Sequence, residues 1–130
     1  MNKNPDRTVP AAVSDSLSDP LHQIIGAAQD KKAFDVVVLD LQGSGAFTDY
    51  FVLCSARNTR QVRAIVDEIK EQLCAMRNKP SHVEGYEHAE WVLIDFFDCV
   101  VHVFTQETRR FYDLERLWAS ARRIKFPQTS

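Results

Sequence analysis

Residues 91–104 constrain the fold of this chain most strongly, because they have the pattern of a β-hairpin. Two runs of Val, Ile, Leu and aromatic residues, 91–96 and 99–104, are separated only by Phe97 and Asp98. So short a turn fixes which residues lie opposite each other in an antiparallel ladder. The predicted pairs are Phe96 with Cys99, Asp95 with Val100, Ile94 with Val101, Leu93 with His102, Val92 with Val103 and Trp91 with Phe104.

The two faces of this predicted hairpin differ in chemistry. The first face is wholly apolar and is predicted to lie in the core; it carries Val92, Ile94, Phe96, Cys99, Val101 and Val103. The second face is apolar apart from one carboxylate and one imidazole; it carries Trp91, Leu93, Asp95, Val100, His102 and Phe104. Either a helix covers this second face, with its polar groups hydrogen-bonded at the rim, or the face is a platform for another macromolecule.

The chain is predicted to be a single domain of the α/β class. Its 130 residues can bury a hydrophobic core without support from disulfides or bound metal ions. The net charge of -2 gives no overall attraction to nucleic acid or anionic membrane, so any RNA contact has to be local. No apolar run approaches the roughly 20 residues that span a bilayer, which predicts a soluble protein. The three cysteines lack CxxC spacing and are predicted to be buried free thiols in a reducing compartment, the cytoplasm.

Both ends of the chain are predicted to lie outside the folded domain. Residues 1–16 are polar and lack the apolar segment of a secretory signal, so we expect a disordered tail there. The domain itself is predicted to span residues 17–124, and residues 125–130 are predicted to be a frayed C-terminus.

The strand pattern predicts a mixed β-sheet of about five strands. Residues 35–41 and 49–55 are nearly unbroken apolar runs joined by a short loop, which is typical of paired strands in the middle of a sheet. Residues 81–84 form a weaker strand. With the helix that precedes it, this strand is predicted to complete a right-handed strand–helix–strand crossover.

The helical pattern predicts three helices that flank the sheet. Residues 20–30 follow a cap at Asp19, and residues 58–76 begin with Asn58 and Gln61 in the spacing of a capping box. A last helix is predicted to start near Gln106. Its predicted cap is Thr105 and its predicted buried stripe is Phe111, Leu114, Leu117 and Trp118.

Two stretches suggest catalysis or metal binding, but neither has the full pattern. Gly43 and Ser44 are similar to the Gly-Ser turn of nucleotidyltransferases, yet the few residues before Asp49 leave no room for the helix those enzymes place there. No second Asp follows Asp49, and metal-dependent phosphoryl transfer needs several carboxylates. The His and Glu residues between positions 82 and 90 match no zinc or di-metal spacing. The sequence therefore predicts no metal and no cofactor.

A series of motifs covers most of the predicted domain. They are DYFVLCS at 49–55, RQV at 60–62, Gly85, WVLID at 91–95, VVHVF at 100–104 and RFYDLERLW at 110–118. In this order, across residues 21–118, they resemble the Iojap family, the ribosomal silencing factors RsfS.

This resemblance implies a fold related to nucleotidyltransferases but lacking their catalytic residues, and a protein that is not an enzyme. It further implies binding to the large ribosomal subunit through ribosomal protein fourteen, on the surface that faces the small subunit. Silencing would be steric, because the bound protein keeps the two subunits apart and represses translation when nutrients are limiting, as in stationary phase.

The resemblance also favours the platform interpretation of the second face. The apolar members would be buried against the partner, while Asp95 and Asp98 would meet its basic groups. The predicted partner-binding residues are Trp91, Leu93, Asp95, Phe96, Asp98, His102, Phe104, Phe111 and Tyr112. The excess of basic residues between positions 109 and 125 allows a minor contact with ribosomal RNA.

Two alternatives and two departures from the family pattern remain. The alternatives are a diverged nucleotidyltransferase and a self-associating module that forms a homodimer when free. The departures are Phe96-Phe97 where the family commonly has Tyr-Gly, and Ala56 where it usually has Gly. Since Phe does not favour a positive φ, the turn is expected to be wider here, and this departure leaves the pairing register at its tip open.

Overall fold

A six-stranded mixed β-sheet forms the centre of the computed structural model, which describes residues 18–127. Its strands are β1 Phe34–Asp40, β2 Tyr50–Ala56, β3 His82–Glu84, β4 Trp91–Asp95, β5 Cys99–Thr105 and β6 Arg122–Phe126. They lie in the order β3-β4-β5-β2-β1-β6, with β2 and β5 parallel and the other neighbours antiparallel. The predicted α/β class is confirmed, with one strand more than expected. The predicted tail at residues 1–16 lies outside the described residues.

Two long helices cover one face of this sheet. They are α1 Asp19–Asp30 and α2 Thr59–Ala75, and each buries an apolar stripe on the main core. The first face of the hairpin belongs to the same core, as predicted. Two short helices, α3 Gln106–Tyr112 and α4 Leu114–Leu117, follow β5. No helix within residues 18–127 combines the length and apolarity needed to cross a membrane.

Strands β1 and β2 pair antiparallel in the middle of the sheet, as predicted. The chain then passes through α2 to β3, at the far edge, and β4 and β5 fill the gap between β3 and β2. Strand β5 is parallel to β2, β4 is antiparallel to β5, and β3 is antiparallel to β4, so β3 runs parallel to β2. This is the orientation that a strand–helix–strand crossover requires.

At the N-terminus of each long helix, a side chain accepts a hydrogen bond from a backbone N–H group that has no acceptor within the helix. Ser18, not Asp19, caps α1, and its Oγ accepts from the backbone N of Leu21 at 3.4 Å. At α2, Asn58 Oδ1 accepts from the backbone N of Gln61 at 2.9 Å. In a capping box, the side chain of Gln61 would accept a hydrogen bond from the backbone N of the cap residue, Asn58. Here Gln61 Oε1 accepts from the backbone N of Arg57 instead, one residue before the cap.

The hairpin has the predicted register along its whole length. At its tip the backbone N of Phe96 donates to the carbonyl of Cys99 at 2.9 Å, so the turn is not widened. The residues with positive φ do not include Phe96, Phe97 or Asp98. Phe in place of Gly is therefore tolerated, because the turn adopted here needs no left-handed residue.

The C-terminal part of the chain differs most from the prediction. Arg122–Phe126 forms β6 and pairs with β1, which carries the domain past the predicted boundary at residue 124. The predicted last helix is broken at Asp113, which has a φ of 48°. Phe111, before the break, and Leu117, after it, are exposed instead of buried, whereas Leu114 and Trp118 pack on the sheet.

The cysteines also differ from one another. Cys54 and Cys99 are buried, as predicted, and burial raises the pKa of each thiol to about 12. Cys74 is exposed, because it lies on the solvent side of α2 next to the buried Leu73.

Candidate functional site

The second face of the hairpin is covered over β5 and open over β4. Leu114, Trp118 and Ala121 pack on this side of the sheet in a cluster that includes Phe51 and Phe104. The segment that carries them links α3 to β6, and β6 lies beyond β1. The chain thus crosses β5, β2 and β1 and leaves β4 open. Each of the two interpretations of this face describes part of it.

An aromatic network connects the open part to the covered part. The ring of Trp91 stacks on Phe104 at 5.1 Å between centroids and lies 4.9 Å from the ring of Tyr112. On the covered side, His102 lies edge to face against Phe51 at 4.7 Å. Such pairs contribute about 0.5–1.5 kcal/mol each beyond the burial of their area. The network therefore fixes the orientation of Trp91 at the surface.

His102 supports this network from below. The indole Nε1 of Trp91 donates to Nδ1 of His102 at 3.0 Å. Burial lowers the pKa of His102 to about 4, and a proton on Nδ1 would also oppose the indole N–H. The Nε2 atom of His102 has no hydrogen-bond partner among residues 18–127. His102 is therefore a neutral acceptor that orients Trp91.

The buried imidazole predicts a dependence of stability on pH. In the unfolded chain a His with a pKa of 6.5 gains a proton as the pH falls, whereas folded His102, with a pKa of about 4, does not. The unfolded state then binds more protons, so stability is lost toward low pH. We expect the free energy of unfolding to fall by about 1.4 kcal/mol between pH 8 and about pH 5.5.

Urea unfolding at the two pH values measures this effect. The variant His102→Gln should lose that part of the pH dependence, although it is also less stable. His88→Gln, at an exposed position, is the matched control and should keep it. The same dependence in both variants would show that His102 is not its source.

The open surface consists of side chains from one strand and one short helix, and we call it the β4–α3 strip. Its members are Trp91, Leu93 and Asp95 of β4 and Phe111 and Tyr112 of α3. The three β4 side chains are half-buried, whereas Phe111 is 80% exposed and Tyr112 is 54% exposed. A groove of about 260 Å³ borders the strip and is lined by Glu84, Gly85, Trp91 and Leu93.

The structure does not place all the predicted contact residues in this strip. Phe96, His102 and Phe104 are buried, so the prediction that these three side chains contact a partner is corrected here. Phe96 lies in the main core, and the other two lie under the strip because β5 is a central strand. Asp98 is exposed at the hairpin turn, at the end of β4 opposite Trp91, and its carbonyl accepts from Thr48 Oγ1 at 3.0 Å.

Some exposed apolar side chains were not predicted. Phe97 is 94% exposed, and its place in a two-residue turn is the signal that could have identified it. Leu117 is 75% exposed, but only the break at Asp113 shows why. Phe47 is exposed in the loop between β1 and β2, where no periodic pattern gives a signal.

Comparisons with known proteins agree with one another. Residues 14–130 match the family model RsfS, described as "Ribosomal silencing factor during starvation". The chain is 42% identical to ribosomal silencing factor RsfS of Bacillus subtilis over 95 residues, which are 73% of this chain and 80% of that protein. It is 28% identical to the Mus musculus protein "Mitochondrial assembly of ribosomal large subunit protein 1" over 101 residues, 75% of this chain and 44% of that protein.

Solved structures have the same fold. A crystal structure of a Bacillus halodurans protein that is 42% identical to this chain has a TM-score of 0.69. The match covers 75% of this chain and 91% of the Bacillus halodurans chain. A crystal structure of a Chromobacterium violaceum protein, 31% identical, has a TM-score of 0.75 and covers 78% of this chain and 84% of its own.

Proposed function

This chain belongs to the RsfS family of ribosomal silencing factors, and from that premise we propose that it binds the large ribosomal subunit through ribosomal protein fourteen. Bound there, it blocks the approach of the small subunit and represses translation when nutrients are limiting. The observation that carries this proposal is the β4–α3 strip, an aromatic surface with one carboxylate whose side chains are half-buried or exposed. A protein partner suits such a surface better than a small substrate does.

The strip has the features of a small protein-binding surface. Trp91 and Tyr112 are aromatic side chains held in place by their neighbours, so little rotamer freedom is lost when a partner binds. Asp95, at the other end of β4 from Trp91, supplies a negative charge on the same face, which fits a basic ribosomal protein and sets the orientation of binding. The adjacent groove can receive an apolar side chain of the partner.

The basic residues between positions 109 and 125 contribute less to this surface than the sequence suggests. Arg109 is buried and paired with Glu115, and Arg123 donates to the carbonyl of Glu115 at 3.1 Å. Arg110, Arg116 and Arg122 are exposed, and they are the members of this group that can reach ribosomal RNA.

We expect Asp95→Lys and Tyr112→Ala each to weaken binding to purified large subunits about 10- to 100-fold. The first places a like charge against a basic partner, and the second removes an exposed ring that lies against Trp91 in the strip. Co-sedimentation across a titration of the protein measures both. Glu71→Lys and Met76→Ala are matched controls, because both side chains are exposed on or next to α2, on the other side of the sheet.

The steric mechanism has its own test. Purified subunits are mixed at a magnesium concentration that allows them to join, with and without the protein, and are separated on a sucrose gradient. The proposal expects fewer joined ribosomes with the protein and normal joining with Asp95→Lys. Normal joining with the unsubstituted protein bound would refute the mechanism, and unchanged co-sedimentation of both strip variants would refute the site.

Self-association is a second candidate because several large apolar side chains are exposed in the free domain. Phe111 and Leu117 are both mainly exposed, and a second copy of the chain could cover them. A dimer formed in this way would compete with ribosome binding at the same surface. Sedimentation velocity over a concentration series, with Phe111→Ser as the comparison, measures it.

Catalysis has less support. The loop between β1 and β2 contains no helix, and Ser44 Oγ donates to the carbonyl of Leu41 at 2.6 Å. Within residues 18–127 no three His, Cys, Asp or Glu side chains converge as metal ligands. Turnover of a nucleotide in the presence of magnesium would support the nucleotidyltransferase alternative instead.

A further inference from the structure

We propose that Arg109 is a positioning residue for the partner contact, holding α3 so that Phe111 and Tyr112 lie beside Trp91. Arg109 does not itself belong to the strip, because it is buried beneath α3. The role in partner binding rests on the proposed function above, whereas the positioning of α3 is a property of the free protein and can be tested alone.

The guanidinium of Arg109 joins α3 to three other elements. Its Nη1 donates to the carbonyl of Asp35 at 2.7 Å and to Oγ of Ser55 at 2.9 Å. Its Nη2 and Nε donate to the carboxylate of Glu115, at 3.0 Å and 3.4 Å. One side chain thus links α3 to β1, β2 and α4. Lysine cannot replace these contacts, because a single ammonium lacks the planar fork that makes them together.

The backbone around this arginine is irregular at both ends of the link. The β1–β2 register shifts between Phe34 and Val37, and Asp35 within that shift has a φ of 51°. The carbonyl of Asp35 accepts from Arg109 at this irregularity. On the other side, Asp113 has a φ of 48° and separates α3 from α4. The pair of Arg109 with Glu115 spans that break, so it holds together two helices whose hydrogen bonding is not continuous.

Besides Arg109, the Thr105 cap at its N-terminus and the contact of Tyr112 with Trp91 hold α3 in place. It has seven residues, and so short a helix is not stable on its own in water. Its only buried side chain is that of Arg109, so no apolar stripe anchors it to the sheet. Phe111 and Tyr112 follow Arg109 and Arg110 in the same short helix, and their orientation therefore depends on the hydrogen bonds that Arg109 makes. Tyr112 reaches Trp91 from this position, with 4.9 Å between the rings.

The first experiment tests the positioning in the free protein. Amide hydrogen exchange followed by mass spectrometry compares the unsubstituted chain with Arg109→Gln, and with the milder Glu115→Gln, which keeps the bonds to Asp35 and Ser55. Arg110→Gln is the matched control, because it removes an exposed arginine from the same helix. We expect exchange over residues 106–117 to be at least about tenfold faster in Arg109→Gln, with β2 and β5 unchanged.

The second experiment is a double-mutant cycle on binding to purified large subunits. We expect Arg109→Gln to weaken binding about tenfold or more, and to have little further effect when Phe111 and Tyr112 are already alanine. That loss of additivity identifies an effect transmitted through the two aromatic side chains. A residue that only stabilises the fold would weaken binding by the same factor in both backgrounds.

The outcomes separate this proposal from the proposed function. Exchange that is unchanged in Arg109→Gln and Glu115→Gln, or uniformly faster across the sheet, overturns the positioning role, as does an additive cycle. If the unsubstituted chain does not bind large subunits at all, the proposed function fails, and the exchange experiment still decides whether Arg109 positions α3.

Discussion

We expect Trp91→Ala to lower the free energy of unfolding by about 3 kcal/mol and to remove detectable binding to large subunits. The substitution deletes a half-buried indole that packs on Phe104 and Tyr112. It also leaves Nδ1 of the buried His102 without its donor, which costs about 1–3 kcal/mol. Urea unfolding followed by circular dichroism measures the stability, and a fall in midpoint of more than about 10 °C in a thermal scan is expected alongside it.

The loss of stability makes Trp91→Ala a poor variant for assigning the site by itself. Leu93→Ala is the matched comparison, because Leu93 is half-buried on the same face of β4 but has no hydrogen bond to break. We expect it to lower stability by about 1 kcal/mol and to weaken binding. If Trp91→Ala were as stable as Leu93→Ala, the hydrogen bond to His102 would contribute nothing measurable.

We expect Gly85→Ala to lower the free energy of unfolding by about 3 kcal/mol or more. Gly85 has a φ of 87°, where a side chain is strained. A Cβ built there would also lie 2.3 Å from the carbonyl oxygen of Trp91, and that backbone atom belongs to β4 and cannot move aside cheaply. Because Gly85 lines the groove beside Trp91, binding to large subunits should weaken as well.

Gly43→Ala separates the two causes of that effect. Gly43 has a φ of 78°, similar to that of Gly85, but a Cβ there would meet no atom within 4 Å. We expect it to lower the free energy of unfolding by only about 1 kcal/mol, the effect of backbone strain alone. Urea midpoints of both variants measure the difference. Equal losses would mean that the close approach to Trp91 is relieved by a small shift of β4.

Some features of the candidate site were predictable because they depend on neighbours in the sequence. The assignment of Trp91, Leu93 and Asp95 to one face follows from the alternation of side chains along a strand. The pairing of Trp91 with Phe104 follows from the two-residue turn. The open state of β4 was not predictable in this way, because it depends on where the chain runs after α3.

The series of motifs identified the family. Turn length and periodicity, which act over a few residues, predicted the pairing of the hairpin strands, the central pair of strands and the buried stripes of α1 and α2. Tertiary structure alone decided that the C-terminal chain forms β6, breaks its helix at Asp113 and crosses the sheet over β5 rather than β4. These outcomes depend on contacts between residues that are distant in the chain. Strand β6 is an example, because it forms its strand hydrogen bonds with β1. They are what leaves Phe111 and Tyr112 exposed beside Trp91 and buries His102 and Phe104 beneath it.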